Sequence, residues 1–227
     1  MRGLPGKLMM TLKRQLIPAL PALVLFCIST ACPAADPAQF PNTIHALKQL
    51  YTDEITACRI FTAYGEQAYA EGFDGVRLLF NALKASESVH VQNFERLLKD
   101  FGVDTKGITA GDVPLFTTTR KNLNYALKVE LSEIDVRYPT CISRVEAEGH
   151  EDAVLQITYA WKAEKQHREL IRKMRRATGF FFWKLVLKLK KAPHYFVCQT
   201  CGSTLVKLPE HRCPICGSNV ENYRKIE

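Results

Sequence analysis

Two Glu-x-x-His pairs, Glu87-Ser-Val-His90 and Glu164-Lys-Gln-His167, lie on apolar seams that repeat with the period of packed helices. One seam reads Phe80, Leu83, Glu87, His90, Phe94, Leu97. The other reads Ala153, Ile157, Ala160, Glu164, His167, Ile171, Met174. Both advance in alternating steps of three and four, so each Glu stands one turn from its His on the face that a helix buries. Ionisable groups in a core are costly unless opposite charge accompanies them. A chain built this way is a helical bundle with something cationic in its middle.

Two further helical segments supply partners. Glu54 follows Leu47 and Leu50 and precedes Cys58 and Phe61 on an inward stripe; Glu130 and Glu133 follow Leu123 and Leu127. One Glu-x-x-His alone carries little weight, but two on core seams with glutamates on the other two helices point to a dinuclear metal site. The five carboxylates sum to −5, within one formal charge of neutrality whether two ferrous or two ferric ions sit among them. Carboxylates with imidazole suit iron, and spacing alone does not choose iron over manganese.

The helices are expected over about 43–71, with Asn42 as cap, then about 76–101, about 117–148 and about 151–178. Gly72-Phe73-Asp74-Gly75 and Gly149 mark short turns; the connection carrying Gly102, Gly107, Gly111 and Pro114 is longer. Short, long, short connections describe two antiparallel pairs joined by a crossover, the ferritin-like variant of a four-helix bundle.

Of eight cysteines, four form two knuckles of identical pattern, Cys198-Gln-Thr-Cys201-Gly202 and Cys213-Pro-Ile-Cys216-Gly217. Four thiolates at this spacing suit tetrahedral zinc or a single iron. The glycines let the backbone turn its amides toward sulfur. Residues 194–227 therefore form a small β domain of rubredoxin-like or zinc-ribbon type that needs a metal to fold. Residues 179–193 are a linker; its segment Phe180 to Leu189 fits a strand or an extension of the last helix. Cys58 and Cys141 stand singly in helical sequence and fit packed core thiols.

Residues 1–35 have the order of a secretory signal: Lys13-Arg14, the apolar run Leu16 to Ala31, then Cys32-Pro33-Ala34-Ala35. This predicts export to a periplasm or cell envelope. Membrane contact follows only if the segment is retained as an anchor or is lipidated at Cys32, and Ser29 makes a poor lipoprotein signal. The leader carries four basic and no acidic side chains, so its removal halves the net charge from +8 to +4. Charge thus gives no case for nucleic-acid binding, and the basic run from Arg172 fits a solvated helix end.

The ordered set Asp53-Glu54, Glu87-Ser-Val-His90, Glu130-x-x-Glu133, Glu164-Lys-Gln-His167 and the paired C-x-x-C-G knuckles resembles rubrerythrin over about residues 43–227. The resemblance implies a ferritin-like di-iron bundle (36–178) with a C-terminal rubredoxin-like domain. It implies Glu54, Glu87, His90, Glu130, Glu133, Glu164 and His167 as ligands of two irons. It implies Cys198, Cys201, Cys213 and Cys216 as ligands of a third, with zinc the alternative. The implied activity is reduction of hydrogen peroxide to water, with electrons relayed from an unidentified donor through the cysteine site. Tyr138 matches a tyrosine close to the di-iron site and is the candidate proton source; Phe61 stands where another tyrosine is usual. The same ligands would serve a ferroxidase or iron-handling protein. A non-catalytic envelope protein with a structural zinc ribbon is the alternative of another class. A cysteine domain at the end of a helix lies roughly 20 Å from the helix middle, so a homodimer is expected, with one subunit's cysteine site serving the other's bundle.

Overall fold

A computed structural model describes residues 37–177 and 194–227; the leader and the segment from Phe180 to Leu189 lie outside the described residues. Five helices follow a short 3₁₀ turn: α1 Pro41–Ala70, α2 Asp74–Asp100, α3 Thr119–Ser132, α4 Tyr138–Glu146 and α5 Glu151–Ala177. Strands β1 Tyr195–Cys198, β2 Thr204–Leu205 and β3 Tyr223–Ile226 form an antiparallel sheet in the order β2-β1-β3. No helix among the described residues is long and apolar enough to cross a membrane.

The α1–α2 hairpin turns at Gly72, whose φ of 78° is the left-handed conformation that ends a helix. The Phe73 N–H reaches back to the Ala68 carbonyl at 2.8 Å. Asn42 is not the cap of α1. The helix begins at Pro41, and the amides of Asn42 and Thr43 donate to the Glu148 carboxylate at 2.8 and 2.7 Å. Asn42 Nδ2 donates to the same carboxylate at 2.8 Å. Thr118 does cap α3, accepting from the Lys121 amide.

The third helical segment, expected to run unbroken, is split. Residues Glu133–Arg137 form a π-helical turn between α3 and α4, a feature that often marks functional sites. Its defining bond runs from the Tyr138 N–H to the Glu133 carbonyl. Pro139 has no N–H for the next carbonyl, that of Ile134. The indole Nε1 of Trp161 on α5 donates to it instead, at 2.9 Å.

Among the described residues the bundle's core divides into two apolar clusters. One contains Phe61, Phe80, Leu83, Leu123, Leu127 and Ile171; the other contains Leu50, Phe94, Leu97, Tyr138, Ile157 and Ala160. On each long helix the candidate Glu and His residues lie in sequence between members of the two clusters. A polar layer therefore crosses the bundle near mid-height. Tyr195, Val197 and Ile226 of the sheet belong to the first cluster. The small domain, too short to build a core alone, shares the bundle's.

Candidate metal centre

Each helix delivers its share by position. α1 brings Glu54, α2 Glu87 and His90, α3 Glu130, and α5 Glu164 and His167; all six side chains are buried. His90 Nδ1 lies 3.0 Å from Glu87, 3.4 Å from Glu164 and 3.6 Å from Glu54. His167 Nδ1 lies 2.9 Å from Glu164, 3.2 Å from Glu87 and 3.9 Å from Glu130. The donors resolve into two overlapping groups, Glu54, Glu87, His90, Glu164 and Glu87, Glu130, Glu164, His167, each with its donor atoms within 4.8 Å of one another. Glu87 and Glu164 belong to both, as bridging carboxylates would.

Glu133 is half-buried and in neither group. It lines a cavity of about 20 Å³ together with Glu54, Phe61, Glu87, Val129 and Glu130. Tyr138 is buried and its hydroxyl donates to Glu54 Oε1. In an unbroken α-helix Tyr138 would point about 140° away from Glu133; the π turn restores it to the site's side. Asp53, beside Glu54, pairs instead with Arg137 of that turn, at 3.1 Å.

The buried set calls for positive charge. Glu87 Oε2, His90 Nδ1, Glu130 Oε2 and Glu164 Oε1 are buried with no hydrogen-bond partner, an arrangement that native cores rarely leave uncompensated. Burial pushes the Glu54 carboxyl up to about 8, against the pull of His90. Burial and then the charge of Glu164 raise Glu130 well above the usual carboxylate range. His167 rises to about 10 because Glu87 and Glu164 outweigh burial. Metal charge at this layer would relieve the same burden. Oxygen-rich donors with imidazole fit a pair of iron or manganese ions.

Both histidines present Nδ1 to this layer and Nε2 to the small domain. His90 Nε2 is 3.3 Å from the Cys201 carbonyl, which can only accept. His167 Nε2 is 3.4 Å from Thr204 Oγ1, whose proton goes to the Gly202 carbonyl at 2.9 Å. Each ring therefore keeps a proton on Nε2, and the proton a metal would displace is the one on Nδ1, among the carboxylates. Further contacts seat the domain: Ser86 Oγ donates to the Gly202 carbonyl at 2.6 Å, and Gln166 Oε1 accepts from the Thr204 amide at 2.9 Å. Sequence reasoning placed the cysteine site far from its own bundle centre. The structure sets it against α2 and α5.

Cys198, Cys201, Cys213 and Cys216 form a third group. The Cys198–Cys216 and Cys201–Cys213 sulfurs are 3.8 and 3.5 Å apart. Disulfides are excluded; a tetrahedron with metal–sulfur bonds of ~2.3 Å has edges of about 3.8 Å. Backbone amides of Ser203, Cys216 and Ser218 donate to sulfur. Cys213 is held far below the usual thiol range by hydrogen bonds from Cys198 and Cys201, and Cys201 is pushed far above it. Cys58 and Cys141 belong to no group; Cys141 is buried, and burial lifts the Cys58 thiol to about 12.

Comparison with known proteins agrees with this geometry. The rubrerythrin family model matches residues 45–175. Rubrerythrin-2 of Clostridium acetobutylicum is 27% identical over 182 residues, spanning 80% of this chain and 95% of that protein. Nigerythrin of Nitratidesulfovibrio vulgaris is 25% identical over 177 residues, spanning 77% and 82%. The fully reduced, all-ferrous structure of nigerythrin superposes with a TM-score of 0.69 at 22% identity, over 81% of this chain and 86% of that one. At that identity the likeness speaks for the fold.

Proposed function

The chain belongs to the rubrerythrin family of di-iron, ferritin-like proteins, and from that premise we propose that it reduces hydrogen peroxide to water. The observation that carries the reading is the sharing of Glu87 and Glu164 between two buried donor groups beside a cavity of about 20 Å³. That space suits a molecule of water or peroxide size. Glu54, Glu87, His90, Glu130, Glu164 and His167 are the proposed ligands of the pair. Glu133 completes the set from the cavity wall. When bound, two irons supply the two electrons that the O–O bond takes up as peroxide and two protons become two waters.

The chain's own residues have three tasks in this scheme. Phe61, Ile60 and Val129 line the cavity with apolar surface and limit the water around the reacting oxygens. Tyr138 holds a proton at its hydroxyl against Glu54, one hydrogen bond from the donor groups. The Cys201 carbonyl against His90 Nε2 supports direct passage of electrons from the cysteine site. A third iron is proposed there, with zinc the alternative.

The test is anaerobic mixing of the reduced, iron-loaded protein with hydrogen peroxide. The parent consumes about one peroxide per di-iron pair, and Glu87→Ala loses both bundle iron and peroxide consumption. Consumption of added ferrous iron and oxygen without peroxide turnover would replace this reading with iron handling. Full turnover by Glu87→Ala at unchanged iron content would end it.

A further inference from the structure

The two cysteine knuckles share one pattern and nearly one backbone. Gly202 and Gly217 have φ of 76° and 74°. Each donates its N–H to the carbonyl of the first cysteine of its knuckle, at 2.9 Å. Their surroundings differ. A methyl group built on Gly217 meets nothing within 4 Å. On Gly202 it would overlap His90 Nε2, and it would lie 2.6 Å from Ser86 Oγ and 3.0 Å from His90 Cδ2. Ser86 and His90 are themselves buried and held in α2, so neither can swing aside into solvent. The left-handed turn favours glycine in both knuckles. Only in the first does the neighbouring helix demand it as well.

We infer that Gly202 is a positioning residue that keys the cysteine domain onto the bundle. Its missing side chain admits His90 to the Cys201 carbonyl and thereby sets the gap between the cysteine site and the bundle's donor groups. Gly217, equal in backbone and sequence pattern, has no part in that contact. Hydrogen bonds from Ser86 Oγ and Thr204 Oγ1 to the Gly202 carbonyl fix the seat from both sides. The rate at which the cysteine site empties into the bundle is accordingly governed by one of two matching glycines. This rests on the peroxide-reducing reading proposed above.

Gly202→Ala and Gly217→Ala carry the same backbone strain, so comparing them isolates the contact. The fully reduced holoprotein is mixed with peroxide, and reoxidation of the cysteine-bound iron is followed by its visible absorbance. Bundle iron is followed separately by freeze-quench Mössbauer spectroscopy. Gly202→Ala should reoxidise its cysteine iron about tenfold or more slowly than Gly217→Ala, since misplacement of about an ångström is costly at such contacts. Oxidation of the bundle iron should proceed in both. Amide hydrogen exchange across 86–90 and 200–204 should rise in Gly202→Ala alone. Ser86→Ala, which removes one hydrogen bond and adds no bulk, should show the same change to a lesser degree and serves if Gly202→Ala does not fold. Equal slowing in the two glycine variants, or exchange at 86–90 unaffected by both Gly202→Ala and Ser86→Ala, overturns the inference. A parent whose bundle iron ignores peroxide defeats the peroxidase reading, and the exchange comparison still decides the docking.

Discussion

Glu54 and His167 set the pH dependence expected of the protein stripped of metal. Their folded values of about 8 and about 10 exceed the ordinary values of about 4.3 and 6.5. The folded state therefore holds protons that the unfolded chain has released. The stability linked to them is complete below the ordinary values and is lost as pH rises through about 8 and about 10. Glu164 has the opposite sign: although burial opposes it, His167 and His90 hold it low, so its contribution disappears only in acid. The metal-free protein should thus melt at steadily lower temperature from about pH 6 to about pH 9. With both bundle positions filled, metal charge replaces the protons and the decline should be much shallower. Scanning calorimetry of the two forms checks this, and parallel profiles would contradict it. The ligand candidates were legible because charged residues on an apolar seam violate a simple rule. Ser86, Gln166 and Thr204 were not, because a polar residue facing another domain has the same sequence signature as one facing water.

The π turn shows what helix periodicity misses. Counting threes and fours carries Glu130 and Glu133 inward but sends Tyr138 out, and the extra residue at Glu133–Arg137 corrects the phase. Pro139 was the visible clue, since a proline inside a helical run removes a donor and distorts the turn before it. Its complement, Trp161, lies 27 positions away from the carbonyl it serves, beyond any local pattern. Trp161→Phe keeps a ring beneath Lys165, whose Nζ sits 3.1 Å from the indole centroid, and removes only the N–H. With Ile134 left without its donor, the folded state should lose about 1 kcal/mol, read from the denaturant midpoint. The larger effect should fall on Tyr138, whose ultraviolet titration should move toward that of free tyrosine as the turn loosens. The remote cap on α1 from Glu148 was hidden for the same reason: its partners are about a hundred residues apart.

At the scale of the whole molecule, bundle and sheet were legible as separate modules and their union was not. Local spacing defines each metal group, whereas nothing in the sequence of the sheet names Ser86 or His90 as its partner. The union has a thermodynamic corollary. Cys201 and Thr204 hold the Nε2 protons of His90 and His167, and those two strand-and-knuckle residues keep their places only while the four thiolates are gathered around an ion. Filling the cysteine site should therefore preorganise the bundle's imidazoles, and filling the bundle should tighten the cysteine site by the same factor, because linkage is reciprocal. Zinc-filled protein should bind cobalt in the bundle roughly tenfold more tightly than Cys213→Ser, within the usual range of such couplings. Identical cobalt isotherms would show the two sites to be independent. Two centres that share no ligand would load as a cooperative pair, and a tenfold coupling cuts the partly metallated fraction at half-loading from about a half to about a quarter.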